Sequence, residues 1–140
     1  MLMKKFWSDS SSLGKLSILI GLFVIAPLII LPWYPEDAKY ILSFLIPGGS
    51  SVVFGFMLSI FGKKDTETPT DWRSQMGRSS LTVLFAWGWG VLIGALPFVI
   101  GGQLRMIPAL FEAVSGWTTT GLSAMDVSIT PMIFLFHRSF

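Results

Sequence analysis

Three long apolar runs separated by short polar links set the frame of this chain. Residues 16–35 carry no Asp, Glu, Lys or Arg over 20 positions, residues 40–62 none over 23, and residues 79–104 none over 26. About 20 residues of helix cross a hydrocarbon core, so each run predicts a membrane-spanning helix. The first is expected from about Leu16 to Leu31, kinked at Pro27 and stopped by Pro32 and Pro35. The second runs from about Tyr40 to Phe61, and its Pro47-Gly48-Gly49 predicts a bend in the first half. Its Ser51, Gly55 and Ser59, four apart, form a small-residue stripe suited to close helix approach. The third runs from about Ser79 to Ile100, with Ala86, Gly90 and Gly94 at the same spacing and Pro97 near its end. Of the polar stretches, residues 1–15 form a basic arm, and residues 32–39 form a link flanked by the interfacial aromatics Trp33, Tyr34 and Tyr40. Residues 63–78, with Lys63, Lys64, Asp65, Glu67, Asp71, Arg73 and Arg78, divide a two-helix hairpin from the third apolar run.

Beyond Gly101-Gly102 the pattern changes. Residues 106–117 make about three helical turns, too few to span. They lead straight into Thr118-Thr119-Thr120-Gly121-Leu122-Ser123, a poor helix sequence. A short helix that enters from one face and ends in extended backbone is a re-entrant loop. Such backbone is tolerated at membrane depth only where it is buried in protein or lines water. The expected fold class is therefore an all-α membrane protein, with transmembrane helices plus a re-entrant pore helix and an extended filter loop.

Composition agrees and narrows the choices. Charged residues make up 13% of the chain and the mean hydropathy is +0.68, where a globular domain carries about 25% charge. The 12 Phe, 6 Trp and 2 Tyr exclude a disordered chain, and a net charge of +2 with no basic cluster argues against a nucleic-acid partner. With 0 Cys, disulfides, thiolate metal sites and cysteine nucleophiles are excluded. The first apolar run is too long for a cleaved signal peptide and lacks a small-x-small cleavage site, which predicts a retained helix. No nucleophile–base pair or metal-ligand cluster stands out, so neither enzyme chemistry nor a resident cofactor is expected. The basic arm holds three Lys, the 63–78 stretch four Lys or Arg, and the 32–39 link one. Positive-inside counting then places the amino terminus and residues 63–78 in the cytoplasm.

The chemistry sits in the re-entrant segment. A helix carboxyl end carries roughly half a negative charge, and here it points into the membrane. Successive carbonyls from Thr118 to Leu122 can replace the water shell of a desolvated ion, as the Thr-Val-Gly-Tyr-Gly loop of potassium channels does. Gly121 permits the left-handed dihedrals that such a loop needs. From spacing alone an ordinary polar external loop fits as well. Glu112 either attracts cations or, as a lone charge costing about 2.5–3.5 kcal/mol to insert, holds the pore helix through a hydrogen bond or ion pair; the structural role is the one expected. Trp117 is expected to brace the loop, and Asp126 to serve either as a mouth attractor or as a turn acid. Arg105 and Arg138 read as interfacial anchors, His137 as structural, and Gly101 as a tolerant glycine outside the loop.

Two stretches carry a family likeness: Gly94-Ala95-Leu96-Pro97-Phe98, and the run from Ala109 through Phe111-Glu112-Ala113-Val114-Ser115-Gly116-Trp117-Thr118-Thr119-Thr120-Gly121. Together they closely resemble the first pore repeat of the Trk/Ktr family of bacterial potassium transporter membrane subunits. The resemblance implies an amino-terminal hairpin over 1–62, a cytoplasmic loop over 63–78, and a first pore repeat over 79–140 whose second helix begins between Pro131 and Phe140. It implies an ion filter at Thr118, Thr119, Thr120, Gly121 and Leu122, with Glu112 and Trp117 supporting the pore helix. In this likeness the carbonyls of Thr119, Thr120 and Gly121 ligate potassium, the transported ion, while Leu122 and Ser123 in place of Tyr-Gly imply relaxed selection against sodium. The family has four such repeats, forms homodimers in the cytoplasmic membrane and binds a cytoplasmic ring of nucleotide-binding regulatory subunits. The chain is thus expected to be the amino-terminal part of a potassium-uptake subunit. The competing expectation is a non-conducting truncated membrane subunit acting as a structural or regulatory partner.

The topology is testable in this cysteine-free background. Single cysteines at Lys64 and Glu36 should react with an impermeant maleimide from opposite sides, Lys64 from the cytoplasm. Labelling of both from one side contradicts the hairpin.

Overall fold

The computed structural model describes residues 10–61 and 72–139. Helix α1 spans Ser10–Ile25 and passes into a 3-10 turn over Ala26–Ile30. A second 3-10 turn covers Pro35–Tyr40 and runs into α2, Ile41–Phe61. Helix α3 spans Trp72–Ile100, α4 Met106–Trp117 and α5 Met132–Arg138. Three stretches, Ser12–Ile30, Pro35–Ile60 and Ser79–Ile100, are long and apolar enough to cross a membrane.

The prolines act differently from one another. Pro27 has no N–H to continue an α ladder, and the α-helix gives way to 3-10 geometry at Ala26 where a kink was expected. Pro47 lies inside a continuous α2. Helix α3 begins at Trp72, so the last residues of the expected 63–78 loop are helical. The remainder of that loop and the basic arm up to residue 9 lie outside the described residues.

Helices α1 and α2 pack through glycines. A Cβ on Gly21 would stand 2.5 Å from the Gly48 carbonyl oxygen, and one on Gly55 would stand 2.5 Å from that of Gly14. Between these two contacts, Ser51 Oγ donates to the Ser17 carbonyl at 2.8 Å and accepts from Trp89 Nε1 of α3 at 2.8 Å. Small residues let membrane helices approach backbone to backbone. The stripe read on α2 is therefore used, and it is matched by Gly14, Ser17 and Gly21 on α1. The opposite end of the bundle is filled by Phe44, Phe98, Ile133 and Phe134 with Ala109 and Ala113. Ile29, Leu42, Val53 and Leu84 are 60–69% exposed on the helix exteriors, the faces that lipid covers.

Helix α4 folds back along α3. Trp117 packs on Gly90, and Ala113 lies near Gly94. Gly90 lies about ten residues before the end of α3, or roughly 15 Å of helix, which is half of a hydrocarbon core about 30 Å thick. The carboxyl end of α4 thus lies beside the middle of the Ser79–Ile100 stretch rather than beside either end.

Neighbouring glycines should respond unequally to substitution. Gly21→Ala should lower thermal stability in detergent by about 1–3 kcal/mol, because its Cβ meets the Gly48 carbonyl. Gly49→Ala, which meets nothing within 4 Å, should stay within about 0.5 kcal/mol of the parent.

Candidate functional site

The loop after α4 opens with a turn that needs a left-handed residue. Thr119 N–H donates to the Gly116 carbonyl and Thr120 N–H to that of Ser115, both at 3.0 Å. This pair is the Schellman arrangement, whose turning residue has positive φ and is usually glycine. Here it is Thr119, with φ 54°, at a cost on the order of 1–3 kcal/mol for a residue with a Cβ. Hydroxyls knit the turn together. Thr118 Oγ1 donates to the Val114 carbonyl at 2.8 Å and lies 2.6 Å from Thr120 Oγ1, while Thr119 Oγ1 donates to the Thr118 carbonyl at 2.7 Å. Gly121 takes a second positive φ, 76°.

The segment that follows is fastened at four consecutive residues. Arg138 Nη2 donates to the Gly121 carbonyl at 2.9 Å, and Ser115 Oγ donates to that of Leu122 at 2.6 Å. Ser123 Oγ donates to Glu112 Oε1 at 2.9 Å, and Ala124 N–H donates to Oε2 at 2.8 Å. The Glu112 carboxylate, with no exposed side-chain surface, also receives Arg138 Nε at 2.7 Å. Charge-assisted bonds of this kind are about twice as strong as neutral ones. Among the described residues nothing donates to the carbonyls of Thr119 and Thr120, and both residues are exposed. A cavity of about 250 Å³ opens beside Thr119, with Glu112, His137 and Arg138 on its polar side and Phe23 and Phe98 on its apolar side.

The remaining candidate residues fall into place around this core. Glu112 is buried and bonded at both carboxylate oxygens. Its cation is Arg138, which is therefore no interfacial anchor. Trp117 lies against Gly90 and 6.2 Å from the Trp87 ring, which fixes the end of α4 to α3. His137 Nε2 donates to the Gly94 carbonyl at 2.9 Å, and its ring packs against Phe44 and Phe98. Asp126 accepts from Ser128 Oγ at 2.6 Å and Ser128 N–H at 3.0 Å, and these bonds hold its carboxyl below the usual carboxylate range. It is a turn acid. Gly101 is not the tolerant position expected, because the Phe134 ring occupies the place of a Cβ. The roles of Ser115, Ser123 and Asp37, whose carboxylate accepts from Ile133 N–H at 2.9 Å, carried no sequence signal.

Three helices long and apolar enough to cross a membrane, joined to shorter helices and irregular loops, define an all-α membrane protein. The chain is 32% identical over 130 residues to an uncharacterized cation transporter of Methanocaldococcus jannaschii, a match covering 91% of this chain and 26% of that protein. It is 40% identical over 62 residues to the Trk system potassium uptake protein TrkG of Escherichia coli, covering 42% of this chain and 13% of that one. No family model and no solved structure matches. Over most of its own length the chain is thus similar to Trk-like cation transporters of the membrane, and it spans about a quarter or less of the length of these relatives.

Breaking the buried pair should be costly. Glu112→Gln and Arg138→Met should each lower stability in detergent by about 3–5 kcal/mol. The double variant should be less damaged than the sum of the two, by about 1–3 kcal/mol in a thermal-melt cycle. Additive losses contradict the pair.

Proposed function

We propose that this chain supplies one wall of a potassium pathway, with the carbonyls of Thr119 and Thr120 as ion ligands and Thr118, Gly121 and Leu122 shaping the loop that presents them. The supporting observation is the four-point fastening of residues 121–124, beside which those two carbonyls, at the negative end of α4, have no partner among the described residues. An unsatisfied carbonyl in hydrocarbon costs a few kcal/mol, so water or a cation has to face it. Positive φ at Thr119 and Gly121 turns alternate residues of the segment and so brings carbonyls toward one side.

One loop cannot surround an ion, so the remaining walls come from elsewhere in a longer protein or from further chains. In this reading residues 1–62 are a hairpin, 63–78 a cytoplasmic loop and 79–140 a first pore repeat of a protein in the cytoplasmic membrane, its amino terminus inside. It works as a homodimer with a cytoplasmic nucleotide-binding subunit. Potassium is cargo, no cofactor takes part and no covalent step occurs, so the protein is not an enzyme. Discrimination against sodium is relaxed, because Leu122-Ser123 stands where a strict filter has Tyr-Gly.

The test is rubidium uptake, with sodium as competitor, by the full-length protein in a potassium-uptake-deficient strain. Gly121→Asp should reduce uptake at least about tenfold at matched expression, since φ 76° is strained for any residue with a Cβ. Gly88→Ala, which meets nothing within 4 Å, should be silent. Unchanged affinity and selectivity in Gly121→Asp means that the loop is not the filter. A parent protein that moves no rubidium leaves the non-conducting partner as the better account.

A further inference from the structure

Asp37 sits on the polar link between α1 and α2, yet it is only 5% exposed, while its neighbours Glu36, Ala38 and Lys39 are exposed. Its Oδ2 accepts the N–H of Ile133 at 2.9 Å, across 96 residues of sequence. The residue at the start of α5, Pro131, provides no side-chain cap, so the orphan N–H groups of that helix depend on an acceptor from elsewhere. The same link also supplies Tyr40, whose ring meets Phe134 edge-on at 5.0 Å. Phe134 packs in addition on Phe44 and Phe98, at 5.3 and 5.9 Å. One short helix, roughly 10 Å long, thus has its first turn gripped by the link. Its last turn carries Arg138, which bonds both Glu112 and the Gly121 carbonyl.

We infer that Asp37 is a positioning residue for the ion loop: by accepting from Ile133 it fixes α5 along its axis, and through Arg138 it sets where the Gly121–Ala124 segment lies. It touches neither the loop nor an ion. A seven-residue helix has no stable register of its own in isolation, so its placement comes from what holds its ends. The consequence for ion selection rests on the proposed filter role of residues 118–122, whereas the mechanical coupling does not.

Two readouts separate those layers. Amide exchange in the full-length protein in lipid nanodiscs should rise about fivefold at Ile133 on Asp37→Ala, the scale of a lost helix cap. It should rise as well at Ala124, which Asp37 does not contact, while amides of α2 between Val52 and Ser59 stay protected. Asp37→Asn keeps a carbonyl acceptor of the same shape and should match the parent. In rubidium uptake with sodium as competitor, Asp37→Ala should lose about fivefold in discrimination at matched expression, in proportion to the same cap. Faster exchange at Ile133 with Ala124 unchanged overturns the inference, as does an Asp37→Asn variant as loose as Asp37→Ala. Loosening at Ala124 with unchanged discrimination upholds the positioning role and places the failure in the filter reading. Should Asp37→Ala not insert, Asp37→Glu, with its longer arm, displaces the acceptor and gives the same comparison.

Discussion

The path of the loop depends on one carboxylate that has lost its water. Glu112 is buried among the helices, and a charge there is tolerated only with a cation and further donors. Arg138 provides the cation, and Ser123 and Ala124 provide the donors. These three partners lie beyond the turn made by Thr118 to Gly121, so satisfying one carboxylate obliges the chain to leave α4, reverse and return past it. The guanidinium continues to the Gly121 carbonyl, and Ser115, one turn on from Glu112, takes that of Leu122. The segment is held by the helix it has just left and by α5.

The remainder of the bundle keeps that arrangement in place with two kinds of close contact. Between α1 and α2 the absence of side chains at Gly14, Gly21, Gly48 and Gly55 lets backbones touch. A hydrogen-bonded chain from Trp89 through Ser51 to Ser17 then joins all three spanning helices. Between α3 and α4 the glycine at position 90 makes room for an indole, so that the end of α4 rests on Trp117. The aromatic cluster of Phe44, Phe98 and Phe134 seats α5 and with it Arg138.

Much of this was legible in the chain, for physical reasons. The three spans follow from where charge is absent, because a bilayer penalises charge strongly. Helix α4 was expected over residues 106–117 and is found at Met106–Trp117, since a glycine pair precedes it and a β-branched run comes after it. The need of Glu112 for a partner was legible as well, whereas its identity was not. Pairings such as Glu112 with Arg138, or Asp37 with Ile133 at a separation of 96, leave no trace in periodicity. The left-handed Thr119 was missed because propensity assigns that geometry to Gly121 alone; the hydroxyl bonds around Thr118 and Thr119 compensate locally. The early start of α3 at Trp72 was hidden by charged residues that read as loop.

The most direct measurement is a crystal structure of the full-length protein soaked in rubidium, with the ions located by their anomalous scattering. The account predicts a peak at ligand distance from the carbonyls of Thr119 and Thr120, with the Glu112–Arg138 pair intact behind the loop. A site formed by the Glu112 carboxylate itself, or no peak against residues 118–122, would contradict it.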